Sequence, residues 1–330
     1  MFKDTINVVI PCYNEEDVIQ QTHESLITTC REHFSDFKLI YVDDGSSDRT
    51  WEIIKKLGQN TKAFSFSRNF GHQAALSLGL EKCEADYIFI IDADLQDPPE
   101  LFPKMLEFAQ KRDADIVYGQ RRARTGESIF KRFTASVFYW ALNKLSDTKI
   151  PENTGEFRLI NRKALNAFYQ LPERDRFLRG MFSWIGFKQE AFLYDRPQRA
   201  AGETKYTFNK MVRFALDGIT SFSIKPLKIA MTMAFGMGII TLIGVIWTLW
   251  TWITANTVQG WTSILTAIFA VGTCQLVILG VIGEYLGRLF INQKQRPLYI
   301  VKDESPESGR RSQRTSSTDS SPIPSHIQDG

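Results

Sequence analysis

Tyr87-Ile88-Phe89-Ile90-Ile91-Asp92-Ala93-Asp94-Leu95-Gln96-Asp97-Pro98-Pro99 changes character at a single residue. Up to Ile91 it is β-branched and aromatic, the composition of a strand buried on both faces. From Asp92 onward it is acidic, and it closes on two prolines. A strand of this kind implies a covered, mainly parallel sheet, and such sheets bind ligands outside the carboxyl ends of their strands. Alternate residues of an extended segment point the same way, so Asp92 and Asp94 can both reach one divalent cation. Hard oxygen ligands suit Mg2+ or Mn2+, which in turn suit a diphosphate. The plainer reading is an acidic turn, with Asp97 capping the helix that starts at Pro98-Pro99.

Working outward, the flanking sequence alternates strand and helix from residue 5 to about residue 120. Ile6 to Ile10, Leu39 to Val42, Ala63 to Ser67 and Asp115 to Tyr118 predict strands. Glu15 to about Phe34, Ser47 to Leu57, Gln73 to about Cys83 and Pro99 to Arg112 predict helices between them. This βαβα order implies an α/β domain with a mainly parallel sheet covered on both faces. Three strand ends carry polar clusters: Pro11 to Glu16, Asp43 to Asp48, and Asp92 to Pro99. All three face one crevice, where carboxylates can accept hydrogen bonds from ribose hydroxyls and base N–H groups.

The 330 residues leave room for more than this domain, and a net charge of +3 gives no reason to expect nucleic-acid binding. The cysteines, Cys12, Cys30, Cys83 and Cys274, are scattered without a zinc spacing, which suits a reducing compartment. The start of the chain has no apolar core long enough for a signal peptide. From Ile229 to Ile253 and from Thr254 to Gly283 no residue is charged. Each run exceeds the roughly 20 residues needed to cross a bilayer. Trp247, Trp250, Trp252 and Trp261 cluster at the shared end. The expectation is a transmembrane hairpin rather than a helical pair buried in a soluble core. Lys225, Lys228, Arg288, Lys294 and Arg296 flank it and the connecting loop has no Lys or Arg, which predicts that both termini and the N-terminal domain lie in the cytoplasm. Tyr206 to Leu227 is basic and apolar and predicts a helix lying on the membrane surface. The last residues are rich in Ser, Pro and Thr and predict a disordered tail. The predicted domains are thus 1–205 (the α/β domain), 206–228 (interfacial), 229–253 and 263–287 (the two spans), 288–302 (a basic segment) and 303–330 (the tail).

The motifs then become specific. Val9-Ile10-Pro11-Cys12-Tyr13-Asn14-Glu15, Val42-Asp43-Asp44-Gly45-Ser46, Ser67-Arg68-Asn69-Phe70-Gly71-His72 and Asp92 to Pro99 occur in order. Gly119-Gln120-Arg121, Gly155-Glu156-Phe157-Arg158-Leu159 and Gly283-Glu284-Tyr285-Leu286-Gly287-Arg288 follow them. Over residues 5 to 300 the chain resembles family 2 glycosyltransferases of the GT-A fold. Within them it resembles the polyprenyl-phosphate glycosyltransferases related to dolichyl-phosphate mannose synthase, in the GtrB-type branch with a two-helix anchor. The resemblance implies an inverting transfer from a nucleotide sugar to a polyprenyl phosphate at a bacterial inner membrane. The branch points to UDP-glucose, with GDP-mannose and other UDP-sugars as alternatives. A non-catalytic membrane protein that binds nucleotide sugar is the rival from another class.

By the same resemblance Pro11, Tyr13, Glu15, Asp43, Asp92 and Ala93 would hold the nucleotide sugar. Asp92, Asp94 and Gln96 would hold the Mg2+ or Mn2+, with Asp94 counted as catalytic. Arg121, counted with Asp94 as catalytic, and Arg124, counted as phosphate-binding, belong to a loop that would face phosphate oxygens, as guanidinium forks do. Arg196, Arg199 and Lys205 match a mobile basic loop that would close over donor and acceptor phosphates. Glu156 stands where the family more often has Asp, at the catalytic acid near the acceptor. It acts there as a base, or as an orienting group, because a phosphate acceptor is already largely dianionic at neutral pH. The structural alternative is a surface acid paired with Arg158. Glu284 is expected to pair with Arg288. Gly283 and Gly287 permit close helix contact and hint at a homo-oligomer.

Overall fold

A computed structural model describes residues 1–121, 154–173, 176–195, 223–254 and 260–305. The first half of the chain builds β1 (Ile6–Cys12), α1 (Ile19–His33), β2 (Phe37–Asp43), α2 (Thr50–Ile54), β3 (Thr61–Phe66) and α3 (His72–Glu81). Then come β4 (Tyr87–Ile90), a 3-10 turn over Pro99–Leu101, α4 (Phe102–Arg112) and β5 (Ile116–Arg121). The described elements continue with β6 (Thr154–Asn161), α5 (Arg162–Phe168), α6 (Leu178–Trp184) and β7 (Gln189–Tyr194). Two long helices, α7 (Lys225–Ile253) and α8 (Trp261–Gln293), precede a last strand, β8 (Val301–Glu304).

The eight strands form one sheet in the order β7-β5-β6-β4-β1-β2-β3-β8. β4, β1, β2 and β3 run parallel to one another, as the βαβα order predicts. β6 breaks the pattern, running antiparallel to both β4 and β5. Successive side chains of β1 alternate between two cores. Ile6, Val8, Ile10 and Cys12 pack with residues of α1 and α4, whereas Val9 packs with residues of α3, α5 and α6. The Phe89 and Phe102 rings stack 4.0 Å apart in the first core, and the Phe168 and Phe182 rings stack 4.8 Å apart in the second. A strand buried on both sides has no polar face, which is why the run before Asp92 reads as continuously apolar.

Several expected boundaries move. Helix α1 begins at Ile19 rather than Glu15, because residues 15–18 form a turn in which Val18 N and Ile19 N donate to Glu15 O. Helix α2 begins at Thr50 with Arg49, not Ser47, at its N-cap position, and Asp48 Oδ1, just before it, accepts from Thr50 N at 2.9 Å. The tail is predicted to begin at residue 303, but Asp303 and Glu304 belong to β8, antiparallel to β3; residues 306–330 lie outside the described residues. Backbone pairing and polar side-chain contacts hold this strand, so it carries no hydrophobic signature that composition could reveal.

Helix α7 starts ahead of its predicted span and ends with it at Ile253, whereas α8 outruns its predicted span at both ends. The flanking Lys and Arg residues are good helix formers, and the α8 helix stops only before Gln295, which has φ +48°, and Pro297. Both helices are long and apolar enough to cross a membrane. Their apolar side chains are bare: Phe235 is 74 % exposed, and Met231, Trp247, Trp250, Leu276 and Leu289 are exposed as well. A soluble core would cover such residues, so these described residues do not form a buried hairpin. Arg288 Nε and Glu284 Oε1 pair at 3.0 Å, as the spacing predicts. A Cβ at Gly283 or Gly287 would meet nothing within 4 Å, so this pair does not mediate the α7–α8 contact. Residues 206–222 of the predicted interfacial helix, the basic loop with Arg196, Arg199 and Lys205, and Arg124 lie outside the described residues, while residues 225–227, predicted as part of that interfacial helix, belong to α7.

Candidate active site

The carboxyl ends of β1, β2 and β4 lie along one edge of the sheet, and the reversed direction of β6 brings its amino end to the same edge. Ile90 of β4 pairs with Arg158 of β6. Continuing that register sets Asp92 opposite Glu156. Gln120 pairs with Thr154, so the end of β5, with Arg121, reaches this edge too.

The first two strand ends are tied together by a dense set of polar contacts. Asn14, at φ +55°, donates through its backbone N to Ser46 Oγ at 3.0 Å, and its Oδ1 accepts from Ser47 N at 2.9 Å. Glu15 N donates to Thr50 Oγ1 at 2.8 Å, and Glu16 Oε2 pairs with Arg49 Nε at 3.0 Å. Asp43 is fully buried, and its two oxygens accept from Ser46 N at 3.2 Å and from Ser65 Oγ at 2.7 Å. A carboxylate has about four lone-pair directions, so capacity for one more donor remains. Pro11 is buried at the end of β1, while Tyr13 is 46 % exposed and presents its ring at the mouth of the crevice.

The neighbouring carboxylate, Asp44, has a different job. Its oxygens accept from Phe70 N at 2.7 Å and from Gly71 N at 2.9 Å, which fixes the 67–72 loop over the strand ends. Burial pushes its pKa up, against the opposing pull of these two backbone donors. The approach is so close that only glycine fits at position 45. Gly45 has φ +67°, and a Cβ there would sit 2.4 Å from the carbonyl carbon of Arg68.

The acidic loop is anchored from three sides. Ile91 N donates to Val9 O at 3.1 Å, Ala93 O accepts from the buried Thr22 hydroxyl at 2.8 Å, and Gln96 N donates to Asp94 Oδ1 at 3.2 Å. Leu95 sits at φ +56°, an uncommon conformation for a branched residue and one that bends the loop back on itself. Asp97 does not cap the following turn. Its Oδ1 accepts from the Tyr194 hydroxyl at 2.5 Å, linking the loop to β7, and the turn at Pro99 has no side-chain cap. The helix-cap reading of Asp97 is therefore wrong: the two prolines start the turn by themselves.

Asp92 and Glu156 are the electrostatic centre. Asp92 Oδ1 is sealed from water with no hydrogen-bond partner, and His72 Nε2 stands 3.5 Å away. Burial pushes Asp92 up to about 6; His72 opposes the shift, and Glu156, Asp94 and Asp97 add to it. An orphaned carboxylate oxygen on the same loop as Asp94 and the buried Gln96 has the donor chemistry of a hard divalent cation, although among the described residues no three His, Cys, Asp or Glu side chains are gathered as a metal cluster. Glu156 is only 3 % exposed and pairs with Arg179 Nε of α6 at 2.7 Å. Burial opposes its ionisation, yet Arg179, Arg158 and His72 outweigh burial and hold it down at about 2. The surface pairing with Arg158 is thus overturned. Arg158 is itself buried, lies 5.2 Å from the Phe182 ring and is lowered to about 10 by burial despite Glu156.

His72, Arg158 and Arg179 are site residues that sequence reasoning did not select. His72 ends a motif already singled out, and Arg158 stands two residues from Glu156 on one strand, so both had a local signal. Arg179 had none, because only the packing of α6 brings it to β6.

Residues 7–168 match the family described as Glycosyl transferase family 2. The chain is 42 % identical over 302 residues to an uncharacterized glycosyltransferase, YkcC, of Bacillus subtilis, covering 90 % of this chain and 93 % of the relative. It is 38 % identical over 301 residues to the prophage bactoprenol glucosyl transferase homolog of Escherichia coli, covering 90 % and 98 %. It is 37 % identical over 303 residues to the bactoprenol glucosyl transferase of Shigella phage SfV, covering 91 % and 98 %.

Proposed function

Because this chain belongs to the family 2 glycosyltransferases, we propose that it transfers glucose from UDP-glucose to a membrane polyprenyl phosphate with inversion at the anomeric carbon. The observation that carries this reading is the joint presence of an acidic strand-end site and two bare apolar helices in one chain. The named bactoprenol glucosyl transferase relatives, matched over nearly their whole length, support the acceptor class and the choice of sugar.

Pro11, Tyr13, Glu15 and Asp43 form the nucleoside end of the site, where Tyr13 offers an exposed ring and Asp43 an acceptor fixed by Ser46 and Ser65. Asp92, Asp94 and Gln96 would hold Mg2+ or Mn2+. When bound, the ion supplies positive charge against the departing diphosphate. Arg121 and the basic residues Arg124, Arg196, Arg199 and Lys205 would meet phosphate oxygens of donor and acceptor. Glu156, fixed by Arg179, keeps its carboxylate ionised at neutral pH and orients its neighbours. A proton acceptor held near 2 is a weak base, and a phosphate nucleophile does not need one. Helices α7 and α8 would cross the bilayer with both ends on the cytoplasmic side, bringing a lipid phosphate to the site.

Asp94→Asn tests the site. Transfer from UDP-glucose to polyprenyl phosphate should fall at least about 100-fold, the scale on which lost electrostatic catalysis is felt. Fractionation with membranes should not change. Near-normal transfer by the variant would remove Asp94 from the mechanism.

A further inference from the structure

The chain does not end its structural role at α8. Residues 298–305 return to the sheet and close over the outer side of β3. β8 pairs Phe64 with Glu304, Ser65 with Asp303 and Phe66 with Val301. Lys62 Nζ meets Glu304 Oε1 at 3.0 Å, Trp51 Nε1 donates to Asp303 Oδ2 at 3.2 Å, and Ser305 N donates to Ala63 O at 2.8 Å. Every residue of β8 is exposed, and three of the four are charged. A strand of this composition buries little apolar area. The apolar anchor of the segment comes just before it, in Leu298 and Tyr299, which pack on the core around Phe66.

Tyr299 occupies a particular place in that packing. Its ring stacks on Phe66 with centroids 5.1 Å apart and planes 6° apart, and its hydroxyl donates to Glu81 Oε2 at 2.5 Å. Phe66 meets the Phe70 ring edge-on at 5.7 Å. Ser67 N donates to Ile300 O at 3.0 Å, so the backbone repeats the link. Phe70 and Gly71 are the residues whose amides Asp44 holds, and the next residue is His72, beside Asp92. One run of contacts therefore leads from the end of α8 through Tyr299, Phe66 and Phe70 to the carboxylates of the site.

We propose that Tyr299 is a positioning residue of the donor site: stacked on Phe66, it braces the 67–72 loop and so sets His72 against the acidic loop. This rests on the reading of the strand ends as the donor site. The brace comes from the segment that leaves the apolar helices, so the anchor and the site are coupled through packing and not through the chain alone.

The test uses the full-length protein in lipid nanodiscs, as wild type, Tyr299→Ala and Tyr299→Phe. Hydrogen exchange of a peptide covering residues 67–72 is compared with exchange in β1, and donor KM and kcat are measured with UDP-glucose. In Tyr299→Ala, exchange over 67–72 should quicken roughly five- to tenfold, the scale of a lost aromatic pair, while β1 stays protected. Donor KM should rise by a similar factor, with a smaller change in kcat. Tyr299→Phe keeps the ring and loses the Glu81 bond, and it should stay within about twofold of wild type. Unchanged exchange over 67–72 in Tyr299→Ala would overturn the proposal. So would an equal rise in β1, which marks general destabilisation, or a Tyr299→Phe variant as impaired as Tyr299→Ala. If the wild type transfers nothing from UDP-glucose, the donor reading fails, and the exchange comparison still decides the brace.

Discussion

Two guanidinium groups decide the state of Glu156. A buried carboxylate without compensation would take up a proton, but Arg179 at 2.7 Å and the adjacent Arg158 keep this one charged. Removing the closer partner leaves a buried charge half-compensated. Arg179→Met should therefore destabilise the protein by roughly 3–5 kcal/mol, measurable as a lowered denaturation midpoint, even though α6 keeps its apolar contacts. The sign of the pH effect follows from the same pair. The folded-state pKa of Glu156, about 2, lies below the ordinary carboxylate value, so its ionisation stabilises the fold above that ordinary value. The contribution is lost as pH falls from the ordinary value toward 2. Denaturation midpoints of wild type and Glu156→Gln should converge over that acidic window and stay separated by a constant amount only above about pH 7, clear of Asp92, which Glu156 helps raise to about 6 and which therefore titrates differently in the variant. Midpoints that stay apart as pH falls toward 2 would contradict it. The importance of Glu156 was legible through its motif, but its partner was not. Arg158 is near in sequence and on the same strand, whereas Arg179 arrives by tertiary packing, which no local spacing records.

At the scale of elements, the sheet edge is made by how closely helices approach strands. Helix α3 lies on β1 at Gly79, where a Cβ would stand 2.3 Å from Val9 Cγ1. Gly79→Ala should cost about 1–3 kcal/mol by overpacking, despite the better helix propensity of alanine, and lower the thermal midpoint. A stabilised variant would mean that α3 can lift off the sheet without cost. The parallel strands β1 to β4 could be read from alternation, because each is an apolar run with a helix behind it. Three others, β6, β7 and β8, could not. β6 runs antiparallel between β4 and β5, and that reversal is what carries Glu156 to Asp92. Strand order in a sheet is a long-range property, and Thr154–Asn161 has no local mark of its direction. β8 is short and charged, and its pairing depends on an edge left open by β3.

For the whole molecule, the central relation is between a polar crevice and an apolar helix pair. The sheet edge gathers Asp92, Asp94, Gln96 and Glu156, and α7 and α8 leave large apolar side chains uncovered. Composition revealed both halves separately, since charge-free runs and acidic strand ends are local features. The connection between them through residues 298–305 was not visible, because it depends on the chain returning to the sheet after α8. On the proposed reading, the crevice takes the polar donor and the helix pair brings in the lipid acceptor. The most direct test incubates the purified full-length protein in bilayers with short polyprenyl phosphate and labelled UDP-glucose, GDP-mannose or other UDP-sugars, with and without EDTA. The account predicts a labelled lipid carrying a single sugar, formed fastest from UDP-glucose and suppressed by EDTA. Absence of labelled lipid with every donor would contradict the account, and undiminished transfer in EDTA would contradict the role given to Asp92, Asp94 and Gln96.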